Sequence, residues 1–164
     1  MSTEKNTDRT PGENAEGTGT QGGISVTRVL DAPPERVFRA WTTPEQFAAW
    51  YGGDAEAPLD RVTMDVRPGG EWSLVLLVPD HGEMPFHGVY REVNAPGRLV
   101  LTLKDGGAPE DIEGEIVTVT FAGVGGRTEM VFHQGGGNLS AEQYQQARGG
   151  WEIFFDTLAQ VLRG

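Results

Sequence analysis

The sequence contains no cysteine, which excludes disulfides, thiolate nucleophiles and Cys-ligated zinc. Basic residues are scarce: 13 Lys and Arg stand, scattered singly, against 24 Asp and Glu, for a net charge of -11. Such a surface has little with which to neutralise a phosphate backbone or an anionic bilayer, so no nucleic acid and no membrane insertion are expected. Long apolar runs are also missing. Neither a signal-peptide core nor a membrane span is present, and a cytoplasmic location is expected. There is no HExxH, no pair of histidines at ligand spacing and no EF-hand loop. The acidic stretch "DGGAPEDIEGE" (105–115) lacks the alternating Asp/Asn ligands and closing Glu of a calcium loop, and reads as solvated surface. No metal and no cofactor are expected. The glycine groups "PGGE", "GVGG" and "QGGGN" fall at strand ends and read as turns, since none joins a strand to a helix with a following Lys and Thr.

What is present separates into two parts. Residues 1–23 carry no apolar side chain larger than Ala after Met1, and this composition cannot offset the entropy of ordering, so a disordered tail is expected. Residues 24–164 supply enough apolar material for one folded domain. "ISVTRVL" (24–30) alternates as a strand. "PPERVFRAW" (33–41) then gathers Val37, Phe38 and Trp41 on one helical face behind an initiating proline pair. "TPEQFAAWYGG" (43–53) reads as a second short helix, with a capping box from Thr43 to Gln46 and Gly52 as the stop. Between residues 59 and 134, six runs rich in Val, Leu, Thr and aromatics are separated by turn signals such as "RPGGE" and "NAPG". They predict a six-strand antiparallel meander. Arg67 and Glu71 flank the first of those turns, and a weak surface pair between them is expected. A capping box at Ser140 and Gln143 opens the last helix, whose stripe holds Tyr144, Ala147, Trp151, Phe154, Phe155, Leu158 and Leu162. Ile153 falls opposite that stripe. One long helix with a wide aromatic face needs a curved sheet to receive it, so the fold class is α+β.

Four ordered stretches, "TRVLDAPPERVFRAWTTPEQFAAWYGG", "DVRPGGEW", "GVYREVNAPGRLVLT" and "GGWEIFFDTLAQVL", resemble the AHSA-like branch of the START/SRPBCC superfamily. Its eukaryotic namesakes activate the ATPase of the 90-kDa heat-shock chaperone. The resemblance covers residues 24–163 and implies a helix-grip (START/Bet v-like) fold. About seven antiparallel strands would wrap the long terminal helix, with two short helices after the first strand and an internal, often apolar, cavity. Members include ligand carriers, polyketide cyclases and aromatases, and many uncharacterised bacterial proteins. Where the family commonly has a Trp pair followed by Gly and Pro, this chain has Trp50, Tyr51, Gly52 and Gly53, which places a hydroxyl near the expected cavity mouth.

Ten aromatics supply the candidate site material: Trp41, Phe47, Trp50, Tyr51, Trp72, Phe86, Tyr90, Trp151, Phe154 and Phe155. Large aromatics ordinarily build the core, but a helix-grip fold reserves part of its interior for a ligand. Trp50, Trp72, Phe86, Trp151 and Phe155 are the expected cavity wall, with Tyr51, Leu74 and His87 beside them. Of the three histidines, His81 falls in the "PDHGE" turn and His133 alternates outward from Met130 and Phe132. His87 is the candidate acid or base, with Tyr90, Arg91 or Glu92 as neighbours. The leading expectation is a protein that binds a small apolar or aromatic molecule under the terminal helix. An enzyme of the cyclase or aromatase type, using the same cavity, is second. A chaperone-stimulating interaction protein is third, set back because a 23-residue tail stands where the large activators carry a separate domain. The pair Gly149 and Gly150 in "ARGGWEIFF" costs a helix about 1 kcal/mol each relative to Ala. Gly150, on the flank of the buried stripe, is expected to admit a close approach of the sheet rim or of the loop around Trp50 and Tyr51, or to stand where the cavity opens; Gly149 has no packing role.

Overall fold

The computed structural model describes residues 23–105, 114–136 and 139–163. Except for Gly23, the expected tail lies outside them. Strand β1 (Ile24–Leu30) is followed by helices α1 (Pro34–Thr42) and α2 (Pro44–Trp50), then strands β2 (Thr63–Met64), β3 (Glu71–Val78), β4 (Gly82–Asn94), β5 (Arg98–Asp105), β6 (Glu115–Val124) and β7 (Arg127–Gly135), and finally helix α3 (Ala141–Arg163). All neighbouring strands pair antiparallel in the order β1-β7-β6-β5-β4-β3-β2, so the meander closes back on the first strand. The result is a curved seven-stranded sheet that grips α3. Among the described residues, no helix is long and apolar enough to cross a membrane.

Period-two alternation decides the inner face. Val117, Val119 and Phe121 of β6 and Thr128, Met130, Phe132 and Gln134 of β7 point inward, while Val131 and His133 point out. Helix α3 meets that face with Tyr144, Trp151, Phe155, Leu158 and Leu162 buried, Ala147 and Phe154 half-buried, and Ile153 exposed on its back. Two arginines tie the helix down: Arg28 of β1 reaches the Glu152 carbonyl and Asp156, and Arg36 of α1 donates to the Leu162 carbonyl. The Ser140 box forms in both directions, with Ser140 Oγ accepting from the Gln143 N–H at 3.1 Å and Gln143 Oε1 accepting from the Ser140 N–H at 2.9 Å.

Several local expectations give way. Thr43 caps α2 without a side-chain bond; it also ends α1, and its N–H goes to the Arg39 carbonyl, so Gln46 has no N–H to accept from there. Residues 59–66 form a 3₁₀ turn (Leu59–Arg61) and a two-residue strand instead of one long strand. Arg67 pairs with Asp65 at 2.9 Å, not with Glu71. The close approach expected at Gly150 is not there: a Cβ built at either Gly149 or Gly150 meets nothing within 4 Å, and α3 runs through both as continuous helix. The Gly52–Gly53 departure has a backbone reason. Both residues hold positive φ, +102° and +63°, a conformation that a proline at position 53, fixed near -65°, cannot adopt.

Candidate functional site

Helices α1 and α2 carry Trp41, Phe47, Trp50 and Tyr51 into the space between the sheet and α3, where they meet Trp72 and Phe86 from the sheet and Trp151 and Phe155 from α3. Trp41 lies at the centre, 4.8 Å from Trp50 and 6.2–6.4 Å from Phe132, Trp151 and Phe155. Tyr51 is the second hub, its ring 4.9 Å from Phe47, 5.2 Å from Phe154, 5.6 Å from Phe86, 5.7 Å from Trp151 and 6.1 Å from Trp72. These separations are those of edge-to-face and offset ring contacts. Six of the eight expected site residues therefore belong to one ring network: Trp50, Tyr51, Trp72, Phe86, Trp151 and Phe155. Leu74 joins them on the inner face of β3, directly opposite Phe86.

His87 does not. It follows Phe86 and precedes the inward Gly88, so the pleat turns it to the outer face, where it is exposed and paired in register with Ser73 and Lys104. The expectation of His87 beside the cavity wall is corrected on that ground: a one-residue step in a strand reverses the face. Tyr51 is 2% exposed, and burial, with no hydrogen bond or charge contributing, pushes its phenol far above the usual range. The half-buried members of its surroundings are Phe86 and Phe154, whose rings contact that of Tyr51.

The polar groups of this interior went unread in the sequence. Indole N–H groups can only donate, and three of the four find carbonyl oxygens: Trp50 donates to Ala40, Trp72 to Thr102 and Trp151 to the Gln134 side chain at 2.7 Å. Because the Gln134 oxygen faces Trp151, its amide nitrogen faces the Glu115 carboxylate, 3.1 Å away. Trp151, Gln134 and Glu115 thus form a buried relay along one end of the aromatic network. The fourth indole, Trp41 Nε1, is buried without a hydrogen-bond partner among the described residues. Glu115 belongs to the acidic stretch read as solvated surface, and its burial corrects that reading for this residue. The signal was there: Glu115 shares parity with Val117, Val119 and Phe121, and Gln134 with Met130 and Phe132. Among the described residues, no three His, Asp or Glu side chains cluster as metal ligands.

Residues 31–163 match the family model described as activator of Hsp90 ATPase homolog 1-like protein. Protein CV1439 from Chromobacterium violaceum is a similar solved structure, with 26% identity and a TM-score of 0.71 over 86% of this chain and 97% of that one. Protein Ms6760 from Mycobacterium smegmatis gives a TM-score of 0.73 at 20% identity, over 87% and 91% of the two chains. DynU16, a protein in the dynemicin biosynthetic locus, gives 0.68 at 20% identity; the likeness covers 88% of this chain but 48% of DynU16. No curated protein matches the chain.

Proposed function

The chain belongs to the activator of Hsp90 ATPase homolog 1-like family, and from that premise we propose that it binds a small, largely aromatic molecule beneath α3, through an acceptor atom of the ligand. The observation that carries this reading is the buried ring of Tyr51, whose hydroxyl has no hydrogen-bond partner among the described residues. Its phenol sits at the hub of the ring network, largely removed from water, and a hydroxyl in such a place is stabilised when an acceptor arrives. The unpartnered Trp41 N–H in the same network adds a second donor. In the conformation described, the rings touch one another, so a ligand enters by displacing Phe86 and Phe154, the half-buried rings against Tyr51. Gly149 and Gly150 suit such a step. They weaken α3 just ahead of Trp151, and the helical turns before them bury only Tyr144 fully.

All four tryptophans are buried, so intrinsic fluorescence and thermal unfolding both report on occupancy. In a screen of flavonoids, aromatic ketones and lipids, an aromatic ketone or flavonoid at a hundred times its dissociation constant should stabilise the fold by about 2.7 kcal/mol. Tyr51→Phe should weaken that binding about tenfold, the worth of one hydrogen bond. If no aromatic compound moves either signal, the reading fails. Catalysis on the bound molecule is the second reading, supported by the buried Glu115 carboxylate at the end of the Trp151–Gln134 relay and by the fold shared with DynU16. In that case Glu115→Gln abolishes turnover and leaves binding in place. For the chaperone role, a flat titration of a purified chaperone's ATPase rate with this protein would dispose of it.

A further inference from the structure

The outer face of β2–β5 carries a second, separate arrangement. The register places Thr63 beside Ser73, Ser73 beside His87, and His87 beside Lys104, so four strands contribute one line of donor side chains. With strands about 4.8 Å apart, the line is roughly 14 Å long. Glu71 and Val89 form the adjacent pair on the same face, and Thr102 stands next to Val89. Together these residues border a depression of about 280 Å³.

Its floor is an irregular stretch of the sheet where β4 and β5 lie close. Between the His87–Lys104 and Tyr90–Leu101 pairs, side chains take over the bonding of β4 to β5. The Val89 N–H donates to Thr102 Oγ1 at 2.9 Å, and the Thr102 carbonyl accepts from Trp72 Nε1, also at 2.9 Å. Gly88 makes this possible, since a Cβ there would lie 1.8 Å from the Thr102 oxygen and 2.6 Å from Trp72 Nε1. With no side chain at 88, the buried Trp72 indole packs against the inner side of the seam, and residue 72 is among those lining the depression. A large aromatic opposite a strand glycine normally only repairs the sheet. Here it also backs the depression from the inner face, beneath polar walls.

We propose that this depression is a binding site for a small, flat amino- or hydroxy-carboxylate. The carboxylate takes the hydroxyls of Thr63 and Ser73, the His87 ring and the Lys104 ammonium; Lys104 also has a partner within the chain, and its three donors serve more than one acceptor. The flat body lies over the exposed Val89 and the side-chain-free backbone of Gly88, with the buried Trp72 N–H close beneath as a reporter. Glu71 closes the far side, where its carboxylate accepts from an amine or hydroxyl and repels a second negative charge. This site is on the opposite face of the sheet from the interior described above and stands or falls independently of it.

The test is a titration of the full chain with 4-aminobenzoate, using benzoate and inorganic phosphate as comparison probes, followed by NMR on the His87 ring protons and the Trp72 indole N–H. Both signals should shift saturably with 4-aminobenzoate, while the Trp41 and Trp151 indole signals stay in place. Lys104→Met and Ser73→Ala should each weaken binding at least tenfold, with the unfolding temperature and the Trp72 N–H signal retained as evidence of an intact seam. Glu71→Gln should erase the preference for 4-aminobenzoate over benzoate. The proposal is overturned by the absence of saturable shifts at His87, by shifts confined to Trp41 and Trp151, by equal binding of phosphate, or by an unchanged affinity in Lys104→Met.

Discussion

Strand β4 shows two environments one residue apart. Phe86, Gly88 and Tyr90 look into the aromatic interior, whereas His87 and Val89 look out over the depression bounded by Lys104 and Glu71. The inner face is held by ring contacts and a few hydrogen bonds that must be made because water is excluded. The outer face is wet, and its ion pairs, such as Arg61 with Glu83 and Arg98 with Glu92, are exposed and contribute little. Stability therefore resides on one side of the sheet, and the other side is at liberty to carry polar groups chosen for binding.

The contrast is broken most severely at Phe155, which has no exposed surface and touches the rings of Trp41, Trp50, Phe132 and Trp151. Phe155→Ala should cost about 3–5 kcal/mol in urea unfolding, against about 0.5 kcal/mol or less for Val131→Ala on the outer face. A loss at Phe155 below about 1 kcal/mol would mean that the interior is loosely packed. Gly88→Ala attacks the seam joining the faces. The added methyl has only backbone and the Trp72 ring to push against, so a loss of about 1–3 kcal/mol is expected together with a shifted Trp72 N–H signal; a neutral substitution would show that the seam is wider than described.

Alkaline titration distinguishes the faces by proton count. Burial raises the phenols of Tyr51 and Tyr90 well above the usual range, with the charge of Asp65 adding to the effect at Tyr90. Above a pH of about 10 the unfolded chain releases these protons while the folded chain keeps them, so stability is full below that pH and falls above it. The slope is up to about 1.4 kcal/mol per pH unit for each of the two phenols. Tyr51→Phe should flatten the fall measurably. An unchanged profile would place the Tyr51 hydroxyl in contact with solvent. The smallest effect belongs to α3: Gly149→Ala and Gly150→Ala should each stabilise by about 0.5–1 kcal/mol, because each added Cβ meets open space. If these variants also slow the binding of an interior ligand, the pliancy of α3 has a functional role.

Much of this architecture was legible in the chain. Turn residues at strand-length intervals gave the meander, and the spacing from Tyr144 to Leu162 gave the buried stripe of α3. The Ser140 box was readable because Ser and Gln three apart satisfy each other's neighbouring N–H whatever the surroundings. The similar box at Thr43 was not, because the end of α1 had already used the backbone group it needed. His87 was misplaced by judging a residue type ahead of its strand parity, and Glu115 and Gln134 were passed over for the same reason.

The sequence by itself determined which residues share a face, since the periods of helix and strand are fixed by backbone geometry and need no partner. It also determined that the interior would be aromatic and that the surface would be acidic. Only the tertiary structure decided which rings meet, that Tyr51 packs against both Phe86 and Phe154, and that Gly150 faces open space. The seam between β4 and β5 likewise arises only where Trp72, Gly88 and Thr102, from three different strands, arrive at one point. Contacts of this kind depend on distances between segments far apart in the chain, and no local period encodes them.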